Sequence, residues 1–501
     1  MTRIRSGGNT MLFNSAAFLL FFPVVLCIYF LLPGKTPRNI WLLLASYFFY
    51  MSWNPMYGLL LLGVTLVTYI GGLMIERTGR SKGSKGILAV CILAVFGVLF
   101  YFKYWNFTAD LLNSLFRKAH IGISAAHIDV ILPVGISFYT FQAVGYLIDV
   151  WRGDIKAEKN PLKYALFISF FLQLLAGPIG RARNLLYEIP AKHRFHFEEA
   201  RDGFLLMLWG YFLKLVIADR LAIFVDTVYG NTADFPGWYV IAATVLFGVQ
   251  IYCDFAGYST IALGAAEILG IHLTDNFKAP YMAPTTQAFW SRWHISLTSW
   301  FRDYLYIPLG GNRKGKFRKQ LNRVIVFLVS GLWHGADLSF IVWGVLNGIY
   351  QVLGDLLKPV RDFAVRLLKI DRTKAGHRIL QSVITFLLID FSWVFFRADN
   401  MSAALDCLRS MAKASNPWVF FDGSILECGL DIHDFGVMAL SILILAIADY
   451  LKNRNIVVRR VIAEQAAWVR VVLIPLFICF ILLTGVWGPG YDASNFIYFQ
   501  F

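Results

Sequence analysis

The sequence is short of charge and short of the residue patterns that soluble enzymes use. Only 15% of its 501 residues are Asp, Glu, Lys or Arg, against about 25% in a typical soluble domain. Its six cysteines (Cys27, Cys91, Cys253, Cys407, Cys428 and Cys479) are scattered with no C-x-x-C or Cys/His spacing, which argues against a zinc site and against a disulfide framework. They read as small apolar residues of a membrane interior, and no metal is expected. There is no H-E-x-x-H and no Walker A run, so the chemistries those motifs serve have no foothold. No solenoid-length repeat and no low-complexity linker divides the chain.

What the sequence has is apolar length. It is 58% hydrophobic, and its apolar runs approach the roughly 20 residues that a helix needs to cross a bilayer. Spans are expected near 12–32, 41–74 (two, parted at Trp53-Asn54-Pro55), 86–105, 129–150, 162–179, 203–229, 238–271 (one or two), 324–354, 379–396, 435–451 and 471–487. That predicts an all-α polytopic membrane protein of about a dozen spans. Residues 1–10 precede the opening "MLFNSAAFLLFFPVV" at Met11 and read as an upstream extension from start-site choice. Arg3 and Arg5 imitate a signal peptide, but the run behind them is too long and no small-residue cleavage site follows. Residues 11–490 are expected to form the membrane domain and 491–501 an external tail.

The net charge of +15 reads as topology rather than nucleic-acid binding, because the basic residues cluster in short connections between apolar runs. The clusters at 77–85, 181–201, 313–323, 358–378 and 452–470 are assigned to the cytoplasm, and no Lys or Arg follows Arg470. The last span therefore exits outward. The chain then ends on "NFIYFQF", four aromatics with no charge, where a terminus is ordinarily polar and frayed. Such a strip gains by folding back into an external mouth, at about 25 cal/mol per Å² of apolar surface buried. An interfacial aromatic anchor is the competing explanation.

Two of the nine histidines stand in unusual company. His294 lies in "QAFWSRWHISLTSWFRDYLYIPLGG". As one helix this segment places Phe289, Trp290, Trp293, Leu297, Trp300, Phe301, Tyr304 and Leu305 on one half and polar residues on the other, a helix that lies in the interface or dips into the protein. His294 falls near the edge of the apolar half, where a purely structural role is equally open. His334, in "VSGLWHGADLSF", follows the charge-free stretch 324–333. Eleven helical residues rise roughly 16 Å, which places an ionisable group near the bilayer midplane, where such groups face an interior cavity and serve function by default. Gly331 and Gly335 around it either pack helices or let a thin substrate approach. A midplane histidine behind a basic cytoplasmic mouth suits a general base that deprotonates a hydroxyl attacking an acyl group, with a negatively charged thioester as donor. Asp254 and Tyr258 in "CDFAGYS" line a tunnel or join helices; Asp337 orients His334; Asp390 and Arg397 pair. Trp333 and Trp293 are support candidates.

Taken together, "RWHISLTSWFRDYLYIPLGGNR", "GLWHGA", "LLAGPIGRARNLL" at 174–186, "IYCDFAGYSTIALG" at 251–264 and the opening at Met11 resemble the membrane-bound O-acyltransferases, and within them the bacterial alginate O-acetyltransferase branch. The resemblance runs over nearly the whole chain. It implies a ring of membrane helices around a thin centre, with cytoplasmic and external funnels, in a bacterial inner membrane. His334 matches that family's near-invariant histidine and His294 its second. The resemblance further implies no permanently bound cofactor, an acyl-CoA or acyl carrier protein donor, an external SGNH-hydrolase-type partner and a cell-surface polysaccharide as final acceptor. The tail is similar to the C-terminal motif of a small peptide in teichoic-acid D-alanylation, whose tyrosine accepts the acyl group. By that likeness Tyr498 becomes an acyl-tyrosine, seated by Phe496, Phe499 and Phe501, with the glycines at 485, 488 and 490 as a hinge. The alternatives are D-alanyl transfer, a lipid or secreted-peptide acceptor, and a proton-coupled transporter or flippase. The last of these predicts internal repeats that the sequence does not display.

Overall fold

A computed structural model of the chain describes residues 11–488 apart from Ala176, together with Tyr491, Phe496 and Ile497. Among these residues every regular element is a helix, as the apolar runs require, because a backbone in hydrocarbon must satisfy its own hydrogen bonds. The helices gather into two compact units, one made of Leu205–Ile261 with Asp275–Ile497 and the other of residues 11–204 with Ala262–Thr274.

The second of these opens with α1 (Ala16–Leu31), α2 (Lys35–Met51) and α3 (Pro55–Thr78). The break between α2 and α3 falls where the sequence predicts it. Asn54 caps α3 by accepting from the Met56 N–H (2.9 Å), and Pro55 takes the first helical position, where its missing donor costs nothing. Then come α4 (Lys82–Leu99), a π-turn and α5 (Trp105–Lys118), followed by α6 (Ile136–Arg152), α7 (Pro161–Ser169), the short α8 (Phe171–Leu174) and α9 (Ala182–Glu188). Buried Arg38 ties this unit's loops together, with its guanidinium on the carbonyls of Phe30, Leu32 and His193.

From α10 (Phe197–Tyr211) the chain runs through a π-helical turn, Phe212–Ala218, into α11 (Asp219–Gly230), and then into one long helix, α12 (Trp238–Ile268). The first unit then carries the short helices α13 (Thr286–Trp290) and α14 (Ile295–Phe301), and the pair α15 (Gly315–His334) and α16 (Leu338–Leu356). The rest of that unit is α17 (Lys358–Leu367), α18 (Ala375–Arg397), α19 (Met401–Ala412), α20 (Ile432–Asn453), α21 (Val458–Ala463) and α22 (Ala467–Thr484). The stretch 400–434 holds α19 and two 3₁₀ turns.

Among the described residues six helices are long and apolar enough to cross a membrane, counting α4 to α5 as one, and α16 with α17, bent by 51°, would make a seventh. The dozen expected spans are not reached on that measure, for identifiable reasons. The run 129–150 becomes helical only at Ile136, 162–179 breaks after Ser169, and 324–354 is two helices interrupted at 335–337. The basic stretch 313–323, read as a loop, is mostly the opening turns of α15.

The α15–α16 pair explains the glycines beside His334. A Cβ at Gly331 would overlap the carbonyl oxygen of Phe340, one at Gly344 that of Phe327, and one at Gly335 the ring of Phe340. Both glycines of the G-x-x-x-G pair are therefore spent on close helix packing. They leave no gap for a thin substrate, the other role considered for them.

Candidate functional site

His334 is the last helical residue of α15, and Gly335 turns the backbone extended. Asp337 then starts α16 by accepting from the Ser339 N–H (2.8 Å). Asp337, expected to orient His334, caps this helix start, a common use of an aspartate. The His334 side chain is buried, 5% exposed. Aromatic rings hold it: Trp333 at 4.9 Å, Trp343 at 5.1 Å and Phe396 at 5.2 Å between centroids. Trp343 stacks on Trp393 (5.7 Å), which meets Trp293 (5.2 Å), so the two support tryptophans named from sequence belong to this wall.

His294 does not ride on a continuous amphipathic helix. The helix breaks at Ser291–His294, between α13 and α14, and His294 takes a left-handed conformation (φ 45°, ψ 54°), one that a non-glycine residue adopts only where its surroundings hold it there. Asn276 supplies that hold. Its carbonyl accepts from the Ile295 N–H (3.0 Å), and its Oδ1 accepts from the Ser296 hydroxyl (2.7 Å) and N–H (3.3 Å). Phe289, Trp290, Trp293, Leu297, Trp300, Phe301 and Tyr304 are buried as the wheel predicted. His294 is buried with them rather than facing lipid, with Phe255 at 4.7 Å and Trp333 at 6.0 Å.

Both histidines line one cavity of about 430 Å³. Its other walls include Trp290, Trp293, Ser299, Ser330 and Gln351, with Arg302, Tyr306, Asn312 and Arg323 also on the lining. Arg323 is shared with Asp355 (2.7 Å), which also takes the Lys319 ammonium (2.7 Å). A pocket with two imidazoles and two guanidinium groups can bind an anionic ligand and exchange protons with it. Among the described residues no cluster of three or more His, Cys, Asp or Glu is arranged to hold a metal ion. All six cysteines are free thiols.

A second, buried centre was not foreseen. Lys214 Nζ donates to Asp219 Oδ1 and to Asp254 Oδ1, both at 2.7 Å. The remaining oxygens of the two carboxylates take donors from the end of the chain: Tyr491 OH to Asp219 Oδ2 and Ile497 N–H to Asp254 Oδ2, both at 2.8 Å. Phe496 is fully buried and stacks on Tyr258 (4.5 Å, 25° between planes), with Phe255 at 6.2 Å. Asp254, Tyr258 and Phe496, named separately from sequence, thus meet in one place, and Phe255 touches His294 as well. Tyr498, Phe499 and Phe501 lie outside the described residues. The signal for Lys214 was its lone charge in the apolar stretch 203–218, five residues before Asp219. Arg397 pairs with Asp226 (2.6 Å) instead of Asp390; seven residues apart, the two share a face of α18 but stand about 10 Å apart along its axis, and Asp390 points to Gly248.

With this geometry in place, comparison with known proteins is direct. The model of the membrane-bound O-acyltransferase family, MBOAT, matches residues 156–390, a stretch that contains both histidines and the Lys214 centre. The chain is 33% identical to the probable alginate O-acetylase AlgI of Pseudomonas putida, over 98% of this chain and 100% of that one. It is 35% identical to the peptidoglycan O-acetyltransferase of Helicobacter pylori over 80% of each chain. It is 28% identical to the teichoic acid D-alanyltransferase of Streptococcus thermophilus over 52% of this chain and 68% of that one. Likeness over the whole length of one relative, joined to the family's own match across the two histidines, makes this chain a member of the membrane-bound O-acyltransferase family and a multi-pass membrane O-acyltransferase.

Proposed function

We propose that this enzyme carries an acetyl group from a cytoplasmic thioester, acyl-CoA or acyl carrier protein, across the bacterial inner membrane to an external SGNH-hydrolase-type partner, which esterifies a cell-surface polysaccharide. Tyr498 is the relay. In the first step His334 takes the phenol proton as Tyr498 Oη attacks the thioester carbonyl. The C–S bond breaks, and the leaving thiolate recovers the proton from the imidazolium, giving acyl-tyrosine and free thiol. A partner serine then displaces the phenol, a good leaving group because its pKa is about 10. The observation that carries this reading is the seat of the two residues before Tyr498: the Ile497 N–H on Asp254 and the Phe496 ring near Phe255, which also packs on His294. The relatives named for alginate and peptidoglycan O-acetylation favour acetyl over D-alanyl and a polysaccharide over a lipid acceptor. In this reading the C-terminus faces outward.

The test is mass spectrometry of the C-terminal peptide from membranes given isotope-labelled acetyl or D-alanyl thioester. Acetyl label on Tyr498, absent in Tyr498→Phe, is the expected result. Surface acylation in a wild-type protein that never carries label there would refute the relay. Loosening His294 should weaken the same step. Asn276→Ala removes the acceptor that fixes the Ser296 end of its turn, and displacement of a reacting group by about 1 Å costs about 10²-fold. Transfer is expected to fall between tenfold and hundredfold with thioester binding unchanged, measured as kcat against KM on the purified enzyme.

A further inference from the structure

The chain beyond α22 is held at four successive points. Thr484, the last residue of α22, gives its carbonyl to Arg220 Nη2 (2.6 Å), and the Val486 N–H donates to the Leu215 carbonyl (2.9 Å). Tyr491 OH and the Ile497 N–H then reach Asp219 and Asp254. Three of the four partners lie within 215–220, on the π-turn and the start of α11, and the fourth is bound to that segment through Lys214.

The π-turn makes this arrangement possible. In an α-helix residues five apart are separated by about 140° around the axis. Here the Asp219 N–H bonds the Lys214 carbonyl, the wider closure that brings residues 214 and 219 onto one face, and π-turns of this kind concentrate at functional sites. Each carboxylate spends one oxygen on the ammonium and the other on the tail. Two carboxylates against one ammonium leave the cluster an excess of acceptors, which suits the donors the tail brings. Its burial is close to complete, with Lys214 0%, Asp254 2% and Asp219 6% exposed.

We propose that Lys214, Asp219 and Asp254 are positioning residues that latch the C-terminal segment at two points, so that the residue after Ile497 is presented in one fixed register. Its purpose rests on the relay reading; its geometry does not. A slip of one residue would break the side-chain grip at Tyr491, the backbone grip at Ile497, or both, and would lift Phe496 from Tyr258. The latch therefore selects register rather than sequence at Ile497, where it holds only main chain.

Carboxypeptidase digestion of the full chain in detergent tests this, read as the rate of loss of residues 498–501, alongside the rate of acyl label arriving on Tyr498. Tyr491→Phe removes one hydroxyl and no volume, and Asp254→Asn removes one charge at constant shape. Trimming is expected to accelerate about tenfold in Tyr491→Phe and more in Asp254→Asn, the scale of losing a hydrogen bond to a charged group, with label arriving correspondingly more slowly. Wild-type trimming in Tyr491→Phe would overturn the proposal, and would do so even if Asp254→Asn failed to fold. Wild-type protein trimmed as fast as the variants would overturn it too. Trimming that accelerates as expected, in a protein whose wild type is never labelled at Tyr498, would leave the latch standing and remove the relay.

Discussion

Replacing His334 by alanine is expected to lower acyl transfer about 10³-fold, within the range of about 10²–10⁴ that a positioned general base supplies, while KM for the thioester moves only a few-fold. The asymmetry follows from where the side chain sits. His334 closes α15 and faces a cavity that already exists, so truncation enlarges a space rather than collapsing a core. The guanidinium groups of Arg302 and Arg323 remain on the lining to meet an anionic donor. A loss in kcat without a matching change in KM marks an interaction made in the transition state. His334→Gln keeps most of the volume and hydrogen-bonding capacity but cannot take a proton at neutral pH, and should be as inactive as the alanine variant. Substantial activity in either variant would move the base to His294, whose ring lies on the same cavity. The measurement is single-turnover transfer from labelled thioester by the purified enzyme.

His334 was legible because charge is scarce. A run of ten residues without a charge, followed by one imidazole, needs only the helical rise to place it deep in the bilayer, and the structure leaves it buried at a helix break. The apolar half of the 289–305 segment was legible for the same kind of reason, since a 3.6-residue period survives a short interruption. The interruption itself was not. Nothing in "RWHIS" announces a left-handed residue, because the hold comes from Asn276, distant in sequence. Hydropathy does not show breaks such as the one at 335–337, where an aspartate cap and glycine packing interrupt what looks like one long apolar run. The Lys214 centre was hidden by periodicity. A lysine and an aspartate five apart fall on different faces of an α-helix, and only a π-turn joins them. Asp254 was noticed as a buried acid, but its two partners come from a helix 40 residues earlier and from the far end of the chain.

The second large effect is expected at Lys214. Lys214→Met removes the one cation held between two buried carboxylates, and breaking a buried ionic cluster from one side costs about 3–5 kcal/mol, about a hundredfold to a few thousandfold in the ratio of folded to unfolded protein. Methionine fills nearly the same space, so the loss is electrostatic rather than a packing defect. That distinction can be measured. Adding Asp219→Asn and Asp254→Asn to Lys214→Met removes the stranded charges, and buried ion clusters replaced by neutral groups of similar shape are often no less stable than the original. The triple variant is therefore expected to recover most of the thermal midpoint that the single variant loses, followed by size-exclusion after heating in detergent. Recovery of stability without recovery of acyl transfer would separate what the cluster does for folding from what it does for the tail. An Asn at 254 keeps an acceptor for the Ile497 N–H, but it no longer offers the ionic grip that fixes its orientation. If Lys214→Met alone keeps the wild-type midpoint, the ammonium is not what holds Asp219 and Asp254 together, and the register of the tail must be set by Phe496 on Tyr258 instead.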